Sequence, residues 1–278
     1  MTSVSQALAA AGVALSGLPS PSADARALVS HVLGVAPSRL LAGGPLTAAQ
    51  DDALAVAIGR RLSGEPVQHI TGEAYFRTIS VRVGPGVFVP RPETEVLAGW
   101  AVDQVRQGRR TVVELCAGSG AISSSIASES PGAAQWAVER DQRAYGYLTA
   151  NLAGTGVASV HADMAVALRD QDGLVDLVVA NPPYLPDGQE LPDDVRKDPP
   201  EALFSGPLGL DATRTVAAVA WRLLRPGGVV GSEHGDDQGD PVRAIFIDVG
   251  FNDVRTNRDL TGRPRFVTAR KPANPSQT

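Results

Sequence analysis

The chain has 278 residues, 43% of them apolar, which is enough for one large domain or two ordinary ones with a real core. Its formal net charge of −5 argues against a protein that wraps long stretches of nucleic acid, because such binding needs clustered Lys and Arg. Cys116 is the only cysteine, which excludes an internal disulfide and a multi-cysteine metal site; the sequence has no apolar run of about 18 residues to span a membrane, and the Ala-rich start lacks the basic residues of a signal peptide.

The N-terminal part reads as a small helical bundle. Gln6–Leu15 is Ala/Leu-rich. Pro21–Leu33 starts with Pro at a first-turn position and stops at Gly34. Thr47-Ala48-Ala49-Gln50 has the spacing of a capping box, and Leu54, Ile58 and Leu62 then form one apolar stripe. No titratable cluster stands out in this region.

The pattern changes after Gly64. Ile79, Val81 and Val83 alternate with Ser80 and Arg82, as in a strand, and after Gly84-Pro85-Gly86 the run Val87-Phe88-Val89 is expected to return. Glu73–Val89 therefore reads as a hairpin connector. Pro92 is expected to open a helix that runs through Val105. From Thr111 onward strands and helices alternate. The predicted strands are Thr111–Leu115, Ala134–Glu139, Val157–His161, Val175–Ala180 and Val229–Glu233. The predicted helices start at Ala121, span Gln142–Leu152 and Val216–Leu224, and span Pro241–Val249. Asp253–Arg258 and Arg265–Ala269 suit a terminal antiparallel pair, and Lys271–Thr278 a frayed tail. Alternating β and α implies a doubly wound α/β sheet, with ligands bound beyond the carboxyl ends of its strands. The domain boundaries expected are 1–72, 73–90 and 91–278.

Three features of this α/β region carry chemistry. The turn Glu114-Leu115-Cys116-Ala117-Gly118-Ser119-Gly120 follows the first sheet strand, and its glycines let a ligand approach the backbone. Ser123 stands where the dinucleotide fingerprint needs its third Gly, so the turn departs from the NAD pattern. Glu139 ends the next strand, where an acid can take both hydroxyls of a ribose. Asp163, after the third strand, suits either an adenine amino group or a helix cap. Glu114 suits the orientation of loop amides, a ligand ammonium or a structural role. Cys116 reads as a packed residue.

Asn181-Pro182-Pro183-Tyr184 leaves the apolar strand Val175–Ala180 at the same end of the sheet. An amide NH2 is a poor nucleophile and must be desolvated and oriented before it can attack a methyl group. The Asn181 oxygen and the Pro182 carbonyl can each accept one of its hydrogens, and Tyr184 can stack on the flat group. The nitrogen lone pair then faces a sulfonium methyl, and positioning supplies much of the catalysis. His31, His69, His161 and His234 read as hydrogen-bonded or surface residues rather than catalysts.

With these residues the chain resembles the PrmC/HemK family, the peptide chain release factor glutamine methyltransferases. The resemblance runs through Gly64-Glu65-Pro66-Val67-Gln68, Ile70-Thr71-Gly72 and Phe88-Val89-Pro90-Arg91-Pro92-Glu93-Thr94-Glu95, the most family-specific stretch. It continues through the Gly turn, Asn181–Tyr184, Pro200-Glu201-Ala202-Leu203, Glu233-His234-Gly235 and Asp259-Leu260-Thr261-Gly262-Arg263. It implies a Rossmann-like, seven-stranded class I methyltransferase domain behind a helical domain that docks the substrate. It also implies S-adenosyl-L-methionine as cofactor and, as substrate, the glutamine in the Gly-Gly-Gln loop of class I peptide chain release factors. By the same resemblance Cys116, Ala117, Gly118, Ser119, Gly120, Glu139, Asp163, Met164 and Asn181 bind the cofactor. Asn181, Pro182, Pro183 and Tyr184 form the glutamine pocket, with Asn181, Pro182 and Tyr184 catalytic and Phe88 near the glutamine chain. The family usually has Gly at position 116, often Asp at 139 and an aromatic at 164. A cytoplasmic monomer is expected, with no membrane association, no metal and no nucleic-acid substrate. The segment Leu185–Pro199 is long, acidic and Pro-rich, and is expected to act as a lid over the site.

Three rival readings share parts of this pattern. An adenine-N6 nucleic-acid methyltransferase would use the same tetrapeptide but needs base flipping and a cationic groove. An NAD-dependent oxidoreductase is disfavoured by Ser123. A non-catalytic adaptor that binds release factor or ribosome is disfavoured by the intact tetrapeptide.

Overall fold

The computed structural model describes residues 2–192 and 195–273. Asp193 and Asp194 of the acidic segment, and residues 274–278 of the expected frayed tail, lie outside the described residues. The chain divides into two compact units, Met1–Glu73 with Leu191–Lys197, and Ala74–Glu190 with Asp198–Thr278.

The first unit holds α1 (Val4–Ala14), α2 (Pro21–Leu33), α3 (Ala48–Leu62) and the short α4 (Val67–Thr71). Local signals set their ends. Thr47 Oγ1 accepts from the Gln50 amide while Gln50 Oε1 accepts from the Thr47 amide, the reciprocal capping box. Gly34 closes α2 in the left-handed conformation, at φ 66°. Leu15, Leu28, Val29, Leu40, Leu46 and Leu54 form the core of this unit. One buried ion pair crosses it, Arg61 Nε to Asp24 at 2.7 Å.

Next come β1 (Glu73–Phe76) and β2 (Ile79–Arg82), which form a two-stranded sheet around a turn at Arg77. The hairpin therefore closes earlier than expected. Val87-Phe88-Val89 does not return as a strand. Val87 and Val89 alternate because both are packed into a core, not because they pair. Packing and pairing leave the same period-two trace in sequence.

The second unit continues with α5 (Thr94–Arg106), β3 (Thr111–Leu115), α6 (Ala121–Glu129), β4 (Ala134–Glu139), α7 (Gln142–Leu152), β5 (Ala158–His161) and β6 (Val175–Ala180). It ends with α8 (Asp211–Leu223), β7 (Leu224–Glu233), α9 (Gly239–Val249), β8 (Asn252–Arg258) and β9 (Pro264–Arg270). Strand β7 starts five residues before the expected Val229. An irregular register, with Val175 opposite Leu224 and Leu177 opposite Val229, absorbs Arg225-Pro226-Gly227-Gly228 into the strand.

Among the described residues a seven-stranded sheet runs in the order β5-β4-β3-β6-β7-β9-β8. The first four pairings are parallel and the two that involve β9 are antiparallel. Successive residues of β6 feed opposite faces. Val178 and Ala180 pack in one core with α8 and α9, whereas Leu177 and Val179 pack in another with α5 and α6. This two-sided burial explains the unbroken apolar run of β6. No helix among the described residues is long and apolar enough to cross a membrane.

Candidate active site

The strand order reverses between β3 and β6, which leaves a crevice at their carboxyl ends. The register brings those ends level. Leu115 lies opposite both Val138 and Ala180, Glu139 opposite His161, and Ala180 opposite Ser232. So the loop after Leu115, the acid at 139, the turn at 163 and the tetrapeptide at 181 all leave one edge of the sheet.

The loop after β3 is shaped by three left-handed residues. Cys116 has φ 56°, Gly118 55° and Gly120 78°. Cys116 holds this conformation without being glycine, at a strain of about 1 kcal/mol. Its sulfur lies 3.7 Å from Met164 Sδ, so two of the three residues that depart from the family pattern touch each other. Burial pushes the Cys116 thiol up to about 12, which makes it a packed residue rather than a nucleophile. A Cβ on Gly118 would meet nothing within 4 Å, so open space faces the loop there.

Glu139 is held by two backbone donors. Gly118 N–H donates to Oε2 at 2.9 Å and Asp141 N–H to Oε1 at 2.8 Å. Each carboxylate oxygen has a second lone pair left to accept a hydroxyl. Asp163 Oδ1 accepts from the Ala165 amide at 2.8 Å and so caps the turn after β5, while the residue is exposed. Asp163 thus caps a turn rather than a helix, and its other oxygen is left to meet a ligand amine. A glycine loop with open space, a fixed carboxylate and an exposed acid suit an adenosine-like ligand.

Glu114 is 2% exposed and accepts from both the Ser123 amide, at 2.9 Å, and the Ser123 hydroxyl. It anchors the first turn of α6 under the loop. Desolvation pushes its carboxyl up to about 8, so it is neutral at pH 7. The polar run after the loop is thereby explained in part. Ser123 binds Glu114 and Ser125 Oγ binds the Ala121 carbonyl at 2.9 Å, whereas Ser124 Oγ has no partner among the described residues.

The tetrapeptide lies next to this loop. Pro182 is buried and Asn181, Pro183 and Tyr184 are half-buried. Gln238 clamps the turn, with Nε2 donating to the Tyr184 carbonyl at 2.9 Å and the Leu208 carbonyl at 3.2 Å, and Oε1 accepting from the Gly235 amide at 2.9 Å. Gly209 must lack a side chain, because its Cβ would stand 2.1 Å from the Tyr184 carbonyl oxygen. Tyr184 Oη donates to Glu233 Oε1 at 3.3 Å, and Asn181 Nδ2 donates to Thr94 Oγ1 at 3.3 Å. Burial raises the pKa of the Tyr184 phenol and lowers that of His234.

The stretch 88–95 fastens several of these parts. Arg91 lies over the Phe88 ring at 5.0 Å and pairs with the buried Asp198, which also accepts from the Val89 amide at 3.2 Å. Glu95 accepts from the Arg77 amide at 3.0 Å. Sequence reasoning missed Thr94, Gln238 and Glu233 as parts of the site. The signal for Glu233 was present, since an acid ends an apolar strand level with Glu139. His161 stacks on Tyr145 at 4.7 Å and its Nε2 lies 3.0 Å from the Arg140 carbonyl.

Comparisons with known proteins agree with this layout. Residues 3–72 match the family PrmC N-terminal domain, and residues 84–198 match the family Methyltransferase small domain. A Streptomyces coelicolor protein named Release factor glutamine methyltransferase is 46% identical over 263 residues, covering 92% of this chain and 92% of the relative. A protein of the same name from Mycolicibacterium smegmatis is 43% identical, covering 94% of each chain. A 4-amino-L-phenylalanine/4-methylamino-L-phenylalanine methyltransferase from Streptomyces pristinaespiralis is 39% identical, covering 82% of this chain and 80% of the relative. The crystal structure of the hMettl16 catalytic domain with an RNA hairpin superposes with a TM-score of 0.56 at 14% identity, covering 71% of this chain and 77% of that one, a likeness of fold alone.

Proposed function

Because the chain belongs to the release factor glutamine methyltransferase family, we propose that it methylates the side-chain amide nitrogen of the Gly-Gly-Gln glutamine in class I peptide chain release factors. The observation that carries this reading is near-full-length identity of 46% to a relative of that name, together with an intact Asn181–Tyr184 at the switch point of the sheet. S-adenosyl-L-methionine, the cofactor of this enzyme class, supplies an electrophilic methyl group on a positively charged sulfur. The loop Cys116–Gly120 with Glu139, Asp163 and Met164 holds it. Glu139 takes the ribose hydroxyls through the lone pairs its backbone donors leave free.

The chain's own part in catalysis is orientation. Asn181 Oδ1 and the Pro182 carbonyl accept the two hydrogens of the substrate amide, which keeps its nitrogen in one plane. Tyr184 covers the flat face. Acceptors fixed in advance stabilise the charge that grows on that nitrogen. No strong base is required, because the methylated nitrogen is acidic. The domain 1–72 docks the release factor, 73–90 connects, 91–278 carries the chemistry, and the enzyme works as a monomer in the cytoplasm.

One relative favours a second reading. The name of the Streptomyces pristinaespiralis protein gives an aromatic amine as its acceptor, also a flat conjugated NH2. Labelled methyl donor incubated in parallel with a release factor, 4-amino-L-phenylalanine and DNA separates the cases. Label in the Gly-Gly-Gln peptide is expected, and label in the arylamine or in adenine instead would overturn the assignment.

A further inference from the structure

Asn181 and Tyr184 share a buried polar network with two residues outside the tetrapeptide. Asn181 Nδ2 donates to Thr94 Oγ1 at 3.3 Å, the Thr94 hydroxyl faces the Glu233 carboxylate, and Tyr184 Oη donates to Glu233 Oε1 at 3.3 Å. Thr94 is 4% exposed and Glu233 0%. Glu233 Oε2 has no partner among the described residues, so the carboxylate is not neutralised by a full set of donors.

A hydroxyl has one proton to give. Since Thr94 accepts the Asn181 N–H, its own proton is left for the acceptor it faces, Glu233, which gives the chain one direction, from Asn181 through Thr94 to the carboxylate. That direction selects one of two nearly isosteric orientations of the Asn181 amide. With Nδ2 turned to Thr94, Oδ1 faces the other way and stays free to accept. Shape alone cannot make this choice, because the two ends of an amide differ by little more than hydrogen-bond polarity.

We propose that Thr94 and Glu233 are positioning residues that fix the flip of the Asn181 amide and hold the Tyr184 ring, so that Asn181 presents its oxygen to the substrate NH2. The proposal rests on the acceptor role assigned to Asn181 above. Polarity reversal would set the Asn181 NH2 against the substrate NH2, donor against donor. An acceptor-only group at the end of the chain prevents this, and an ionised carboxylate is such a group. Tyr184, Arg265, Glu93 and Thr94 face Glu233. Arg265 and the hydrogen bonds favour ionisation, but burial outweighs them and pushes the carboxyl up to about 7. The acceptor end is therefore secure above pH 7 and is weakened below it, where the carboxyl O–H competes as a donor.

The test compares Thr94→Val, Thr94→Ser and Glu233→Gln with wild type. It measures kcat, KM for release factor, affinity for S-adenosylhomocysteine and thermal midpoint, from pH 6 to 9. Thr94→Val is expected to lower kcat at least about tenfold with cofactor affinity within about twofold, and Thr94→Ser to restore it. Glu233→Gln is expected to lower kcat and remove the acid limb of its pH profile. Unchanged kcat in both Thr94→Val and Glu233→Gln overturns the proposal. So does a loss that Thr94→Ser fails to rescue, or an acid limb that persists in Glu233→Gln. If Thr94→Val does not fold, Glu233→Gln decides by its acid limb. Should wild type modify 4-amino-L-phenylalanine and not release factor, the assigned substrate is wrong, and the same variant ratios measured on the arylamine still decide the network.

Discussion

Replacing Gly118 and Gly120 one at a time by Ala separates two uses of glycine within one turn. Both residues are left-handed, at φ 55° and 78°, so each substitution carries a backbone cost of about 1 kcal/mol. Their surroundings differ. A Cβ at 118 would meet nothing within 4 Å, whereas a Cβ at 120 would stand 2.6 Å from Leu148 Cδ1 and 3.5 Å from Leu152 Cγ. Leu148 is fully buried in a packed cluster with Ala117, Ala137 and Leu152 and has little room to move. Crowding there adds about 1–3 kcal/mol. Urea unfolding should therefore show a loss of about 1 kcal/mol for Gly118→Ala and about 2–4 kcal/mol for Gly120→Ala. Calorimetric titration with S-adenosylhomocysteine should rank them the other way for binding by the folded protein. The methyl at 118 projects into the space that the ligand takes, and should weaken affinity at least about tenfold. Equal stability losses would refute the packing argument, and unchanged affinity in Gly118→Ala would refute the close approach of ligand to loop.

Asn181→Ala should cut methylation about a hundredfold to a thousandfold, as loss of one preorganised partner does, while S-adenosylhomocysteine still binds; normal turnover would remove Asn181 from its acceptor role. Glu114 is neutral in the folded protein up to about pH 8 but ionises near 4.5 when unfolded. Its raised pKa gives stability that is fully present below pH 4.5 and is lost as pH rises through 8. Glu114→Gln lacks this titration, so the stability of wild type relative to the variant should fall by about 1.4 kcal/mol per pH unit between pH 5 and 8; a constant difference in urea unfolding would mean that Glu114 is ionised in place. The half-buried Cys116 thiol should react slowly with 5,5′-dithiobis(2-nitrobenzoate) at pH 8 until urea unfolds the chain, and rapid labelling of folded protein would contradict its raised pKa. If the segment Leu185–Pro199 acts as a lid, its amides should exchange more slowly once release factor is added, and unchanged exchange would leave it a plain connector.

What was legible in the sequence follows the reach of each signal. The capping box at Thr47 and Gln50 and the left-handed stop at Gly34 are set by neighbours within a few residues, and the burial of β6 on both faces, though set by distant helices, leaves an unbroken apolar run. The alternation of strands and helices gave the sheet, and the glycine turn and Glu139 were legible as neighbours at one edge of it. Val87 and Val89 misled, because a packed loop can alternate as a strand does. The network around Asn181 was out of reach for a different reason. Thr94 and Glu233 are brought beside Asn181 from 87 residues before it and from the neighbouring strand after it, by a register that no local pattern encodes. The stretch 88–95 was recognisable by resemblance, but the reason for its sequence was not. Val89 and Arg91 both hold Asp198, Thr94 holds Asn181 and Glu95 holds Arg77, so most positions in it answer to residues outside the stretch.

The position of β9 has a consequence for how the enzyme is made. It is inserted between β7 and β8, opposite Glu233 at Phe266, and supplies Arg265 to the ground beneath the tetrapeptide. During synthesis the glycine loop, Glu139 and Asn181 emerge long before this strand. Until it emerges, β7 is a bare edge, open to pairing with other chains, and Glu233 lacks both its strand partner and the nearby cation. A nascent or prematurely ended chain can thus carry every motif residue and still lack a finished site.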